Sequence, residues 1–344
     1  MASKRSVIGG VDTHTATHHA AVIDLNGRLI DDAEFSATPA GYAAMLTWMR
    51  GKGKLRQVGV EGTGAYGAGL ARHLHDQGID VLEVPRPDRR IRRQRGKSDP
   101  IDAEAAARTV LAGQASGAPK LADGPIEAIR MLRVARNGAV KARTAALNTL
   151  RSMLITAPEP LRTQLRTLSS AQLVAACARL RPDLGHLADP VQAAKHALRS
   201  LAQRVQHLND ETRSLRTQLD QLTQVAAPAT SAVFGLGPDT VAALLIAIGD
   251  NPDRLRSEAA FAHLCGVAPI PASSGKTHRH RLHRGGERAG NSALHIAAVV
   301  RLRYDPRSRA YADRRTTEGM SMPEILRCQK RYLAREVFKV ACSP

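Results

Sequence analysis

The stretch "VGVEGTGAYGAGLARHL", residues 58–74, allows two readings that lead to different folds. An apolar, strand-like run enters Gly62, Gly64 and Gly67 and then a helical pattern, the spacing of a dinucleotide-binding turn, with Glu83 about where a ribose-binding acid would stand. The other reading puts the weight on the acid before the glycines, Glu61. A dinucleotide fold opens with its strand-turn-helix unit, whose helix N-terminus receives a pyrophosphate. Here the unit comes after residues 6–36, which alternate as strands: "SVIGGVD", "HHAAVIDL" and "RLIDDAEFS", the last two joined by an Asn26-Gly27 hairpin turn.

Beyond that meander the pattern predicts a helix over about 39–50, the strand "QVGVE", a helix over 65–77 and the strand "IDVLEV". This βββαβαβ order starts antiparallel, which a strictly alternating dinucleotide fold does not, and it suits a RuvC-like (ribonuclease-H-like) mixed sheet. Gly62, Gly64 and Gly67 then let backbone come close to a substrate beside Glu61.

With 344 residues the chain has room for two or three domains, each with its own core. Fifty Lys and Arg against 31 Asp and Glu leave a net charge of +19, which points to a polyanionic partner, nucleic acid first. A basic composition spread over solvated faces is the plainer alternative. Cys177, Cys265, Cys328 and Cys342 are scattered without a C-x-x-C pair, which argues against a disulfide framework or structural zinc and for a reducing, cytoplasmic setting. The N-terminus does not resemble a signal peptide, and no apolar run approaches the roughly 18 residues of a membrane helix, so no membrane partner is expected.

Residues 125–224 turn helical and glycine-poor. Val191, Ala194, Leu198, Leu201, Val205, Leu208, Thr212, Leu215, Leu219 and Leu222 follow one another at spacings of three and four, a coiled-coil seam. At 1.5 Å per residue the rod is roughly 48 Å long. So narrow a seam is expected to bring protomers together; a helix packed on its own domain usually shows a broader stripe. "VAAPATSAVFGLG" then reads as a linker. The expected division is 1–124, a mixed α/β catalytic domain; 125–224, a helical coiled-coil region; and 225–344, a mostly helical C-terminal domain.

Acids gather where such a sheet would collect them. Asp12 ends the first strand and Glu61 a later one, while "GKSDPIDAEAAARTV" opens a helix whose Asp99 and Asp102, at i and i+3, share a face. Ser98 is placed to cap that helix. Converging carboxylates repel one another unless a divalent cation lies between them, and oxygen ligands suit Mg²⁺. Two ions about 4 Å apart could clamp the attacking and leaving oxygens of a phosphodiester. Taken singly, the acids also fit as helix-start and turn residues. Just before the pair, Arg86, Arg89, Arg90, Arg92, Arg93, Arg95 and Lys97 form a basic run that would bring phosphates to the metal.

In the third part, "VFGLGPDTVAALLIAIGD" has a Gly-x-Gly turn opening an apolar helix, either a phosphate-holding turn or a tight turn between packed helices. Then Ser273-Ser274-Gly275 lies ahead of Lys276, Arg279, Arg281, Arg284 and Arg288. A crowd of cations can stabilise both an alkoxide and the phosphate it attacks. With about 3% aromatic residues, base stacking is not the main mode of recognition.

Asp12 in "GVDTH", Glu61 in "VEGTGAYG", Asp99 and Asp102 in "KSDPIDAEAAA", and the later "GLGPDTVAALLIAIGD", "LCGVAPIPASSGK" and "RAGNSALH" together resemble the DEDD-type transposases of one insertion-sequence family, over nearly the whole chain. The resemblance implies a bridge-RNA-guided recombinase, in which a structured non-coding RNA pairs with donor and target DNA while the protein cuts and rejoins strands. It also implies that the four acids hold Mg²⁺ and that Ser274 is a nucleophile forming a phosphoserine link; the seam, and the need to join two duplexes, then lead to the expectation of a homo-oligomer, a dimer or a tetramer on DNA. Three rivals stay open: a RuvC-like junction nuclease without a covalent step, a non-catalytic nucleic-acid-binding protein, and a nicotinamide enzyme.

Overall fold

Strand β1 (Ser6–Thr13) is buried along nearly its whole length, as a central strand covered on both faces must be. It pairs antiparallel with β2 (Thr17–Asp24), which pairs antiparallel with β3 (Leu29–Ser36). After α1 (Pro39–Lys52), β4 (Lys54–Glu61) returns parallel to β1; after α2 (Ala68–Asp76), β5 (Asp80–Val84) adds parallel to β4. The sheet order β3-β2-β1-β4-β5 realises the predicted βββαβαβ chain and excludes the dinucleotide reading of residues 58–74. This computed structural model describes residues 5–85, 98–115, 117–275 and 280–342.

The two faces of the sheet are covered differently. Val7, Val11, Ala20, Val22, Val58 and Val60 pack on Met45, Leu46, Met49, Leu70 and Leu74 of α1 and α2. The opposite face receives, among the described residues, α3 (Asp99–Leu111), through Ala106, Ala107 and Val110 against Ile8, Ile23 and Val84. Gly10 and Gly59 are register partners on that face. A Cβ on Gly10 would lie 2.2 Å from the Ala103 carbonyl oxygen, and one on Gly59 2.9 Å from that of Ala106. The bare glycines let α3 rest on the sheet backbone, and that closeness sets the height of its acids.

By its contacts the chain forms two compact units, 1–124 with 248–257, and 125–247 with 258–344. In the first, Asn251 donates to the Pro119 carbonyl at 2.8 Å, tying the later segment to the end of the earlier one. In the second, α4 (Pro125–Thr156), α5 (Glu159–Leu165) and α6 (Ser170–Ala178) precede the long α7 (Pro190–Ala226). Leu150 clusters with Leu198, and Ile129 with Leu219, so α4 and α7 run antiparallel. Of the seam's buried residues, Leu198, Val205 and Leu219 thus have apolar partners in their own chain, and the seam alone does not require a second copy.

A short α8 (Pro228–Ser231) leads to the turn before α9 (Pro238–Ile248). Gly235 has φ +90°, and a Cβ there would meet the Ala297 carbonyl oxygen at 3.1 Å. Gly237 N–H donates to Thr240 Oγ1 at 2.8 Å, and Asp239 pairs with Arg136. An N–H already bonded and an acid in the first turn favour the tight-turn reading of Gly-x-Gly over a phosphate cradle. The chain ends with α10 (Glu258–Leu264), the strands β6 (Ile270–Pro271) and β7 (His280–Arg281), α11 (Arg288–Tyr304), α12 (Pro306–Thr317) and α13 (Met322–Ala341). Among the described residues no helix is long and apolar enough to cross a membrane.

Candidate metal centre and serine hairpin

Side chains alternate along a strand, so the face that carries Gly10 on β1 also carries Asp12, and the face of Gly59 on β4 also carries Glu61. Because Val11 pairs with Val60, Asp12 and Glu61 come next to each other at the C-terminal ends of two parallel strands. Thr13 Oγ1 donates to the Glu61 carbonyl at 2.8 Å and locks the two ends together. Gly62, at φ +70°, turns the chain away immediately after the acid. Asp12, Glu61 and Asp102 are buried, whereas the Asp99 side chain is 44% exposed.

Helix α3 brings the other two acids over this end of the sheet. Ser98 stands at its N-cap as expected, yet its side chain makes no capping hydrogen bond; the link is backbone, Asp102 N–H to the Ser98 carbonyl at 3.0 Å. Burial pushes the Asp12 carboxyl above its ordinary range; His14 draws it down, and the charges of Asp102 and Asp99 push it up. A buried carboxylate crowded by two others gains from a cation.

Sequence reasoning passed over two histidines here. His14 Nε2 lies 3.1 Å from Asp12 Oδ2 and 3.3 Å from Asp99 Oδ1, so it bridges strand and helix. His19 is the cross-strand partner of Asp12 and is held by Asp32 at 2.7 Å. "DTH" held the signal for the first, an imidazole two residues from the acid, while the second follows from the β1–β2 register. One ligand atom each from Asp12, His14 and Asp99 lie within 4.8 Å of one another, a mixed oxygen and nitrogen set that fits a divalent cation.

Ser274 belongs to the other unit. Ile270 pairs with Arg281 and Pro271 with His280, forming the base of a hairpin that carries Ser273 and Ser274, both exposed, followed by Gly275 at φ +54°. Arg281 and Arg284 are exposed beside it. Lys276 and Arg279 lie outside the described residues, as do Arg86, Arg89, Arg90, Arg92, Arg93, Arg95 and Lys97.

Two family profiles match the chain in order: one described as Transposase (DEDD_Tnp_IS110) over residues 9–157, and one described as Transposase IS116/IS110/IS902 family over residues 229–313. The first includes all four acids and the second the serine hairpin. A relative in Streptomyces coelicolor, the insertion element IS110 uncharacterized 43.6 kDa protein, is 31% identical over 130 residues, which is 37% of this chain and 32% of the relative. The match spans about a third of that relative's length.

Proposed function

The chain belongs to the IS116/IS110/IS902 family of transposases, and we propose that it is an RNA-guided DNA recombinase that cuts and rejoins the donor and target DNA of an insertion sequence in the cytoplasm. The observation that carries this reading is the gathering of Asp12, Glu61 and Asp102 at one end of the sheet with Asp99 and His14 at its rim. Asp12, Glu61, Asp99 and Asp102 would hold Mg²⁺, with His14 as a further donor. When bound, Mg²⁺ neutralises charge on the phosphodiester and orients it.

The protein's own part in the reaction is to position the phosphate and to supply a nucleophile. Ser274 Oγ attacks phosphorus: an Oγ–P bond forms, a P–O bond to a deoxyribose oxygen breaks, the serine proton passes to solvent and the released oxygen takes one up. Rejoining is the reverse displacement by the hydroxyl of the other strand, which restores the serine. The phosphodiester energy is kept in the ester instead of being lost to water. Arg281 and Arg284, with Lys276 and Arg279, would offset charge on the attacked phosphate, and the run from Arg89 to Lys97 would hold the strand. The +19 charge and low aromatic content support backbone contacts by the protein and sequence reading by a structured RNA. Joining two duplexes calls for at least two active sites, hence a homo-oligomer.

Asp12→Asn tests the reading. With Mg²⁺ and DNA carrying the element's ends, it should abolish strand cleavage while DNA and RNA binding persist. Cleavage at the wild-type rate would overturn the metal assignment.

A further inference from the structure

Within the C-terminal unit a cavity of about 610 Å³ opens between the base of the serine hairpin and α13, in the size range of small-ligand sites. Its walls are mainly basic and apolar, with one acid, Glu324, among them. Arg281 comes from the hairpin, and Arg327 and Lys330 from α13. Leu282, Met320 and Tyr332 supply apolar and aromatic surface.

The acids here, Glu324 of the cavity wall among them, have partners of their own. Glu324 accepts from Ser321 N–H at 2.9 Å and from Ser321 Oγ at 2.6 Å as the cap of α13, and lies 3.7 Å from Arg327. Glu258 is engaged by Arg331 and Arg335. Lys330 donates to Asn291 Oδ1 at 3.0 Å, and Asn291 is itself fixed by donating to the carbonyls of Cys265 and Gly266, both at 2.9 Å. That leaves the ammonium with two further donors, aimed from a rigid support. Burial, with the Arg327 charge adding to it, lowers the Lys330 pKa, so an anion there would be welcome. Tyr332 is half exposed and is held edge-on by Tyr311, ring centroids 5.7 Å apart at 89°.

A bare phosphate would satisfy the cations but leave the apolar wall and the tyrosine uncovered. A nucleotide satisfies both. Ser274 stands three residues beyond Pro271, at most about 10 Å along the strand, so a nucleotide at the hairpin base presents a neighbouring phosphate to the serine.

We propose that this cavity receives one nucleotide of the DNA strand being cut, turned out of its stack, with its phosphate on Arg281, Arg327 and Lys330 and its base against Tyr332. The assignment rests on the reading of the chain as a DNA-cutting transposase. Extruding a base beside the attacked phosphate also frees the backbone there for in-line displacement.

The test uses the full chain and a single-stranded trideoxynucleotide with 2-aminopurine at its centre, followed by fluorescence. Binding should change the emission, and Tyr332→Ala should weaken it about tenfold or more, the range for losing one base–aromatic stack. Tyr332→Phe should restore it, which separates stacking from a folding defect, and Arg281→Ala should weaken binding without removing the emission change. Wild-type affinity in Tyr332→Ala, with unchanged circular dichroism, would overturn the proposal, as would tighter binding of the matching ribonucleotide, which would point to the guide strand. Asp12→Asn should bind the probe normally yet fail to cut. If Asp12→Asn cuts normally the metal assignment fails, and if the wild type neither cuts nor rejoins DNA the recombinase reading fails, whereas if Tyr332→Ala binds normally while the wild type cuts and Asp12→Asn does not, the cavity assignment alone fails.

Discussion

Replacing Gly10 by alanine puts a methyl group where α3 touches the sheet. The new Cβ would lie 2.2 Å from the Ala103 carbonyl oxygen and 2.3 Å from Ala107 N, where ordinary contact begins at 3.4 Å. Both atoms are helix backbone and cannot swing aside as a side chain would, so α3 has to lift by about 1 Å. Overpacking of this kind costs about 1–3 kcal/mol and should lower the melting temperature by several degrees. Asp102, adjacent to Ala103, rises with the helix and away from Asp12. A displacement near 1 Å can cost about a hundredfold in rate. Gly10→Ala should therefore remain folded and bind DNA, yet cleave about a hundredfold more slowly in a Mg²⁺-dependent strand-cleavage assay. Gly51→Ala is the control, since a Cβ there meets nothing within 4 Å. Wild-type cleavage and melting by Gly10→Ala would refute the idea that the bare glycine sets the height of the acids.

Ser274→Ala should lose both the denaturation-resistant protein–DNA adduct and recombinant product, with Ser273→Ala losing neither; denaturing electrophoresis decides, and the reverse pattern would move the nucleophile to Ser273. Leu198→Ala should destabilise the second unit by about 2–5 kcal/mol in denaturant titration, because Leu198 is fully buried among Leu150, Leu173 and Val205. Asp305 caps α12 by accepting from Arg307 N–H and Ser308 N–H, both at 3.2 Å, and Asp305→Ala should cost about 1 kcal/mol at neutral pH. The Ser308 hydroxyl bond and the two backbone donors hold the Asp305 carboxyl below its ordinary value of 3.8. Its contribution is therefore full above that value and fades as pH falls through the lower folded value. Melting curves of wild type and variant should converge in that acid range, and a gap that persists there would argue against the cap.

Much of the five-stranded sheet was legible because its signals are local. The alternation of "SVIGGVD" and "HHAAVIDL" and the Asn26-Gly27 turn depend on neighbours a few residues apart, and β1, β2 and the β2–β3 hairpin follow them. The histidines were harder. His19 stands opposite Asp12 only through the β1–β2 register, and His14 matters because its ring meets Asp99, 85 positions further along the chain. The seam from Val191 to Leu222 announced that a helix would cover it without saying which one, since heptad spacing describes a face and not its partner.

Sequence alone determined which residues share a face: Asp12 with Gly10, Glu61 with Gly59, and Asp99 with Asp102, each by the period of its own element. Tertiary structure decided how those faces meet. That Gly10 and Gly59 are register partners, that α3 lies directly on them, and that α4 covers the seam of α7 all depend on contacts between segments far apart in sequence. Periodicity is set by backbone geometry over a few residues, whereas the partner of each face is set by which distant surfaces exclude water and fit without voids once the whole chain has folded.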